Sequence, residues 1–202
     1  MIFFIKHFPD IQFPEEFFVV NNNIKTDGRH LTKRFQWHKL HLFNTFFKKW
    51  DYIFYLDCGI NIYSDVSPIL NEKSENVLLA HSDSYPHYEW KLGIQFDKSN
   101  NQSLYYYNEL NHQYNLNIDY FQTTMMLYST QIIASDTFDK LLKLSFDYPI
   151  SRTNEQGIIT LYFTNIEPCF NQIKIRNETI YFYDYMSRNV NNKYIMLKLN
   201  KH

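Results

Sequence analysis

Three aspartates associated with apolar runs are the residues in this chain best suited to chemistry. Asp57 ends the stretch "DYIFYLDCG", Asp83 ends "NVLLAHSD", and Asp184 lies in "TIYFYDY". Hard divalent cations such as Mg²⁺ or Mn²⁺ take oxygen ligands and often share their shell with phosphate, so carboxylates at strand ends suit a diphosphate site. A plainer role stands beside this one: a strand-end aspartate caps the next turn, and Gly59 is then an ordinary turn glycine. His81 and Asp83 form a second polar pair, fit either for a site or for a structural hydrogen bond. His38 and His41 lie three apart, but a metal site needs a third ligand, so they read as packing or surface residues.

Other chemistries are poorly served. The chain has only four glycines, Gly28, Gly59, Gly93 and Gly157, from which neither GxGxxG nor GxxxxGK[ST] can be built. No GxSxG elbow is present. The two cysteines, Cys58 and Cys169, form no CxxC or Cys/His zinc spacing, and Cys58 has no obvious Cys/His nucleophile context. A formal net charge of −1 offers no electrostatic case for nucleic acid or anionic membrane. The opening "MIFFIKHF" is broken by Lys6 and His7, too soon for a signal segment or a membrane span. A reducing, cytoplasmic setting is therefore the expectation, in the host cytoplasm if the chain is viral. The abundance of Asn, Ile, Lys, Tyr and Phe fits an A/T-rich genome such as that of a large DNA virus or a protist.

The elements that must position these residues follow from periodicity. At 202 residues, 45% apolar and 20% charged, the chain is expected to form one globular domain over residues 1–202. "EEFFVVNNN" (15–23), Tyr52 to Leu56, "NVLLAHSD" (76–83), "YFQTTMMLYS" (120–129) and "TIYFYDY" (179–185) read as strands. "LTKRFQWHKLHLFNTFFKKW" reads as a helix with a 3.6-residue apolar period. "TFDKLLKLSF" reads as a second helix with Asp136 as its N-cap, and "EQGIITLYF" as a third. Strands alternating with helices predict an α/β fold with a mostly parallel sheet. Ligands of such sheets bind beyond the carboxyl ends of the strands, where Asp57, Asp83 and Asp184 are expected.

Three blocks, taken in order, resemble the glycogenin-like glycosyltransferases of the GT-A fold. They are "WHKLHLFNTFFKKWDYIFYLDCGINIYSD", "YFQTTMMLYSTQIIASDTFDKLLKL" and "NEQGIITLYF", which cover much of residues 31 to 163. The resemblance implies a GT-A (Rossmann-like) mixed, mostly parallel sheet flanked by helices and shortened at the N-terminus, where either "IFFIKHF" is an abbreviated first strand or the base-binding edge is missing. It also implies transfer of a sugar from a nucleotide-sugar, a UDP-sugar foremost, to a hydroxyl of a glycan or protein acceptor. Mn²⁺ or Mg²⁺ would assist, and no nucleic acid or membrane span is involved.

Residue by residue, the resemblance makes Asp57 the first position of a metal-binding DxD motif. Asp184 becomes a loose match to the family's third metal ligand. Lys39 becomes the helix lysine facing the donor phosphates, and Gln122 and Thr123 fall where the donor sugar is contacted. Glu155 and Gln156 fall on the pair lining the sugar and acceptor site, where Glu155 would serve as acceptor base if the reaction inverts. His81 and Asp83 would border the same cleft, and Arg188, Lys193 or Lys198 would replace a terminal phosphate-binding lysine. Structural readings stand beside these: Lys39 as an exposed helix lysine, Gln122 and Thr123 as satisfied strand polar groups, and Glu155 as a helix N-terminal carboxylate. Asp184 could pair with Arg188 at helical spacing. Two departures from the family are plain, DxG in place of DxD at Asp57-Cys58-Gly59 and a short lead ahead of it. They raise a second reading, a sugar- or nucleotide-binding module that kept the fold and lost turnover.

Overall fold

The computed structural model describes residues 31–83, 90–173, 181–187 and 193–199. The expected strand at 15–23, the segment "IFFIKHF" and Arg188 lie outside the described residues. In chain order the regular elements are β1 (Tyr52–Leu56), β2 (Ile60–Ile62), α1 (Ser67–Leu70), β3 (Leu78–Ser82), α2 (Asn101–Gln113), β4 (Phe121–Ser129), α3 (Thr137–Asp147), α4 (Glu155–Leu161), β5 (Phe170–Gln172), β6 (Tyr181–Ser187) and β7 (Tyr194–Leu199). Tight 3-10 turns form Leu31–Phe43 and Thr45–Lys49 ahead of β1.

The protein is a mixed α/β structure, and the expectation of a mostly parallel sheet is corrected. Among the described residues, one sheet has the order β1-β4-β3-β5 and another β2-β7-β6. β4 runs antiparallel to both β1 and β3, and β2 runs antiparallel to β7. Only the β3–β5 and β6–β7 pairings are parallel. Buried strands of either direction can be continuously apolar, so composition does not reveal strand direction.

Alternation along β4 builds two cores. Met126 and Tyr128 join the larger cluster, with Phe43, Leu141, Ile158 and Phe163 from the helical layer. Met125 and Leu127 face the other way and pack with Phe182, Tyr183, Ile195 and Met196 of the second sheet. All nine residues of β4 are buried, because it is covered on both faces and paired on both edges. β1 is only half-buried along its length, less than its unbroken apolar run predicts.

The expected helix over residues 31–50 is instead two 3-10 segments split at Asn44. The Asn44 backbone is extended, and its side chain accepts from the Phe46 N–H at 2.9 Å, starting the second segment. Burial is nearly continuous from Trp37 to Phe43, with only His38 half-buried, so the first segment is enclosed on more than one side. Asp136 does not cap α3 through its side chain; it pairs with Lys140 at 3.1 Å one turn on. α2 was not visible in the apolar pattern because only Ser103 and Leu110 of its thirteen residues are buried. It is started by Asn100, whose side chain accepts from the Ser103 N–H at 2.9 Å.

Candidate functional site

Five of the residues singled out in the sequence meet at one point. Lys39 Nζ lies 2.8 Å from Glu155 Oε1 and 3.0 Å from Asp57 Oδ1. It also reaches the carbonyl and the hydroxyl of Thr123, each at 3.4 Å. The Thr123 hydroxyl donates to Glu155 Oε1 at 3.1 Å, and the Thr123 N–H donates to Gln156 Oε1 at 3.2 Å. These residues come from the 3-10 segment Leu31–Phe43, the end of β1, the first half of β4 and the first turn of α4. The reading of Lys39 as an exposed helix lysine is thereby overturned, since its whole side chain is buried.

Local backbone features aim each side chain. Asp57 follows the last residue of β1, with its N–H on the Thr124 carbonyl at 2.8 Å. Tyr55, two residues earlier and so on the same face, donates its hydroxyl to Asp57 Oδ1 at 2.8 Å. In the β3–β4 ladder Ala80 pairs with Met126 but Ser82 with Phe121, a bulge that leaves His81 opposite the stretch 122–125. Alternation breaks there: Thr124 and Met125 both face the second sheet, where the Thr124 and Tyr183 hydroxyls bond at 2.9 Å. Thr123 is turned toward Lys39 instead. Bulges re-aim side chains in this way. Asn154, just before α4, has φ 56° and ψ −124°, a conformation rare outside glycine. Its buried side-chain amide donates to Gln36 Oε1 at 2.7 Å, which holds the turn that presents Glu155 and Gln156.

Burial and charge set the protonation of this cluster. Burial alone would lower the Lys39 pKa, but the carboxylates of Glu155 and Asp57 outweigh it and raise the ammonium above its ordinary 10.5. Burial pushes Glu155 up from 4.5; Lys39 pulls against it and Asp57 adds to it, leaving the value raised. Two carboxylates thus share one buried ammonium, and the more buried carboxyl gains proton affinity. Glu155 Oε2 is buried without a hydrogen-bond partner. Beyond Gln156, its amide donates to Gln95 Oε1 at 3.2 Å, and Thr153 donates to the same oxygen.

Of the remaining sequence-predicted residues, Asp83 and Gln122 are joined and His81 and Asp184 are placed apart from them. Asp83 accepts from the Tyr120 hydroxyl and from the Gln122 amide. Among the described residues, no hydrogen bond joins His81 to Asp83, the structural alternative expected from the sequence. His81 donates through Nδ1 to the Ser82 carbonyl at 2.7 Å and meets the Tyr183 ring edge-on at 5.7 Å. Burial lowers the His81 pKa against the Ser82 carbonyl, Asp184 and Asp83, which favours the neutral ring. Asp184 lies within β6, opposite Leu197 of β7, rather than at a strand's end. The alternative pairing of Asp184 with Arg188 lies outside the described residues. His38 and His41 stack at 5.8 Å, and His41 stacks on Phe138 at 4.7 Å, which is a packing role. Cys58 is exposed, and burial pushes the Cys169 thiol up to about 12, far from a reactive thiolate.

Sequence reasoning missed Tyr55 and could not choose Lys198. The i, i+2 relation of Tyr55 to Asp57 is visible in the sequence once β1 is assigned. Lys198 lies in β7 opposite Ile60, and its Nζ is 3.9 Å from Asp57 Oδ2.

A divalent ion held by Asp57 and Asp184 does not fit these residues as they are arranged. Asp57 Oδ1 is engaged by Lys39 and Tyr55, and Oδ2 faces the Lys198 ammonium. Among the described residues, no three His, Cys, Asp or Glu side chains gather to hold a metal. Among the described residues, too, no helix is long and apolar enough to cross a membrane. No protein-family model matches the chain, and no curated protein sequence matches it.

Proposed function

We propose that the chain is a glycosyltransferase that moves a sugar from a nucleotide-sugar, a UDP-sugar foremost, to a hydroxyl acceptor. One observation carries this reading. The residues that resemble the family's donor and sugar positions, Lys39, Asp57, Thr123, Glu155 and Gln156, are far apart in sequence and form one hydrogen-bonded cluster. In the proposed reaction the anomeric carbon leaves the diphosphate oxygen and bonds to the acceptor oxygen, and the acceptor proton is released. Negative charge grows on the departing diphosphate, so cationic groups at the Asp57 end of the cleft are what the chemistry requires.

In this reading Lys39 is a positioning residue. Its ammonium is spent on Asp57, Glu155 and Thr123, and it fixes the carboxylates against the start of β4. Gln156, held between Gln95 and Thr123, lines the sugar side, and Gln122 and Asp83 border the same end of the sheet. The second reading, a binding module without turnover, draws on the same enclosure: Glu155 is 2% exposed, which leaves it poorly placed to take a proton from an acceptor.

Thermal unfolding with a panel of nucleoside diphosphates tests the proposal. UDP at a hundred times its Kd is expected to add about 2.7 kcal/mol of stability, and Asp57→Ala is expected to reduce the gain by releasing the cationic side chains that Asp57 positions. A panel with no response would sink the nucleotide-sugar reading. Slow release of free sugar from UDP-sugars then distinguishes an enzyme from a module that binds and never turns over.

A further inference from the structure

We propose that the Lys198 ammonium takes the place of a divalent ion at the Asp57 end of the site, and that Gly59 is the residue that makes room for it. This rests on the diphosphate reading above and departs from the metal that the family resemblance implies.

Strand pairing brings the two residues together. β2 and β7 pair Ile60 with Lys198, so the lysine side chain leans across the residue just before Ile60, which is Gly59. A Cβ built on Gly59 would lie 2.6 Å from Lys198 Nζ, 3.4 Å from Cε and 3.7 Å from Cδ. The atom in the way is the tip of a flexible side chain, so a side chain at 59 is accommodated by displacing the ammonium from its place beside Asp57. A carboxylate at this position would claim the volume that the lysine now fills.

The two ammonium groups beside Asp57 are not equivalent. Lys39 is 9% exposed and bonded to protein oxygens on several sides. Lys198 is 24% exposed and stands 3.9 Å from Asp57 Oδ2, beyond hydrogen-bond length. Among the described residues it makes no hydrogen bond, so its donors remain free for a ligand. An ammonium is a compact charge on a flexible stem, suited to phosphate oxygens as a point charge. Asp57 steers it without consuming its donors, a role that also accounts for a single aspartate where a metal site would use two.

The test compares nucleotide binding with and without metal. Melting temperature is followed with UDP in EDTA and with UDP in Mn²⁺, for the native sequence, Lys198→Met and Gly59→Ala. The expected result is an equal UDP shift in EDTA and Mn²⁺. Lys198→Met should weaken UDP binding at least tenfold, the scale of one charge-assisted hydrogen bond. Gly59→Ala should weaken it similarly, because it keeps the charge but moves it. If Lys198→Met does not fold, the EDTA comparison and Gly59→Ala still decide. A UDP shift that requires Mn²⁺ overturns this inference and leaves the glycosyltransferase reading intact. So does Mn²⁺ captured by the nucleotide-free protein, seen as loss of the free-ion paramagnetic resonance signal, if Asp57→Asn releases it. No shift with any nucleoside diphosphate overturns the diphosphate reading, and this inference with it.

Discussion

At the scale of single residues, Lys39 is the keystone of the cluster, because it is the buried cation between two acids. Replacing it with methionine leaves Glu155 and the partly buried Asp57 without their shared counter-charge. Breaking a buried pair from one side costs about 3–5 kcal/mol, so Lys39→Met should lower the urea midpoint sharply, and an unchanged midpoint would refute the assignment. Glu155 offers a test by pH. Its pKa is raised above 4.5 in the fold, so the folded state binds more protons than the unfolded state above that pH. Stability from this group is full below pH 4.5 and is lost as pH rises through the raised folded value. Denaturant unfolding between pH 4 and 8 should show that decline, and Glu155→Gln should flatten it. An equal slope in both proteins would place the titration elsewhere.

At the scale of elements, the turn into α4 and the bulge in β4 do the aiming. Gly157, one residue past Gln156, lets α4 press onto the segment before it. A Cβ there would lie 2.5 Å from Ser151 Oγ, 3.3 Å from Ser151 Cβ and 3.4 Å from Gln95 Cβ. Gly157→Ala is therefore expected to destabilise by about 1–3 kcal/mol through overpacking, despite alanine's better helix propensity. It should also disturb Gln95, which anchors the Gln156 amide. Urea unfolding of Gly157→Ala and of Gly157→Ala with Ser151→Ala checks this, since removing the hydroxyl relieves the nearest clash. A stabilised single variant would mean that the two segments separate more easily than their contact implies.

At the scale of the whole molecule, β4 is the shared wall between the two cores. It is flanked by β1 and β3, covered by the helical layer on one face and by the second sheet on the other. Amides of such a strand open only with the whole fold, whereas short or marginal strands open locally. Hydrogen exchange followed by mass spectrometry should find Leu127 and Tyr128 among the slowest amides and the short β2 among the fast ones. Equal rates would show that the two sheets do not share a cooperative core.

The sequence by itself determined most of the strands, α3, α4 and the chemistry excluded, but not α2 or the break at Asn44. Unbroken apolar runs mark β1, β3 and β4, and the scarcity of glycine removes the phosphate-loop motifs. An ordered set of motifs nominated Lys39, Asp57, Thr123, Glu155 and Gln156 before any geometry was known. What the tertiary structure alone decided are the properties that depend on pairing between distant segments. Strand direction, the β4 bulge and the second sheet follow from backbone hydrogen bonds that no local pattern encodes. Asp184 read as a strand-end carboxylate because its run was apolar, yet pairing with β7 extends the strand through Ser187. Gly59 read as a missing carboxylate. Only the alignment of β2 with β7, residues more than a hundred apart in the chain, reveals a lysine occupying its space.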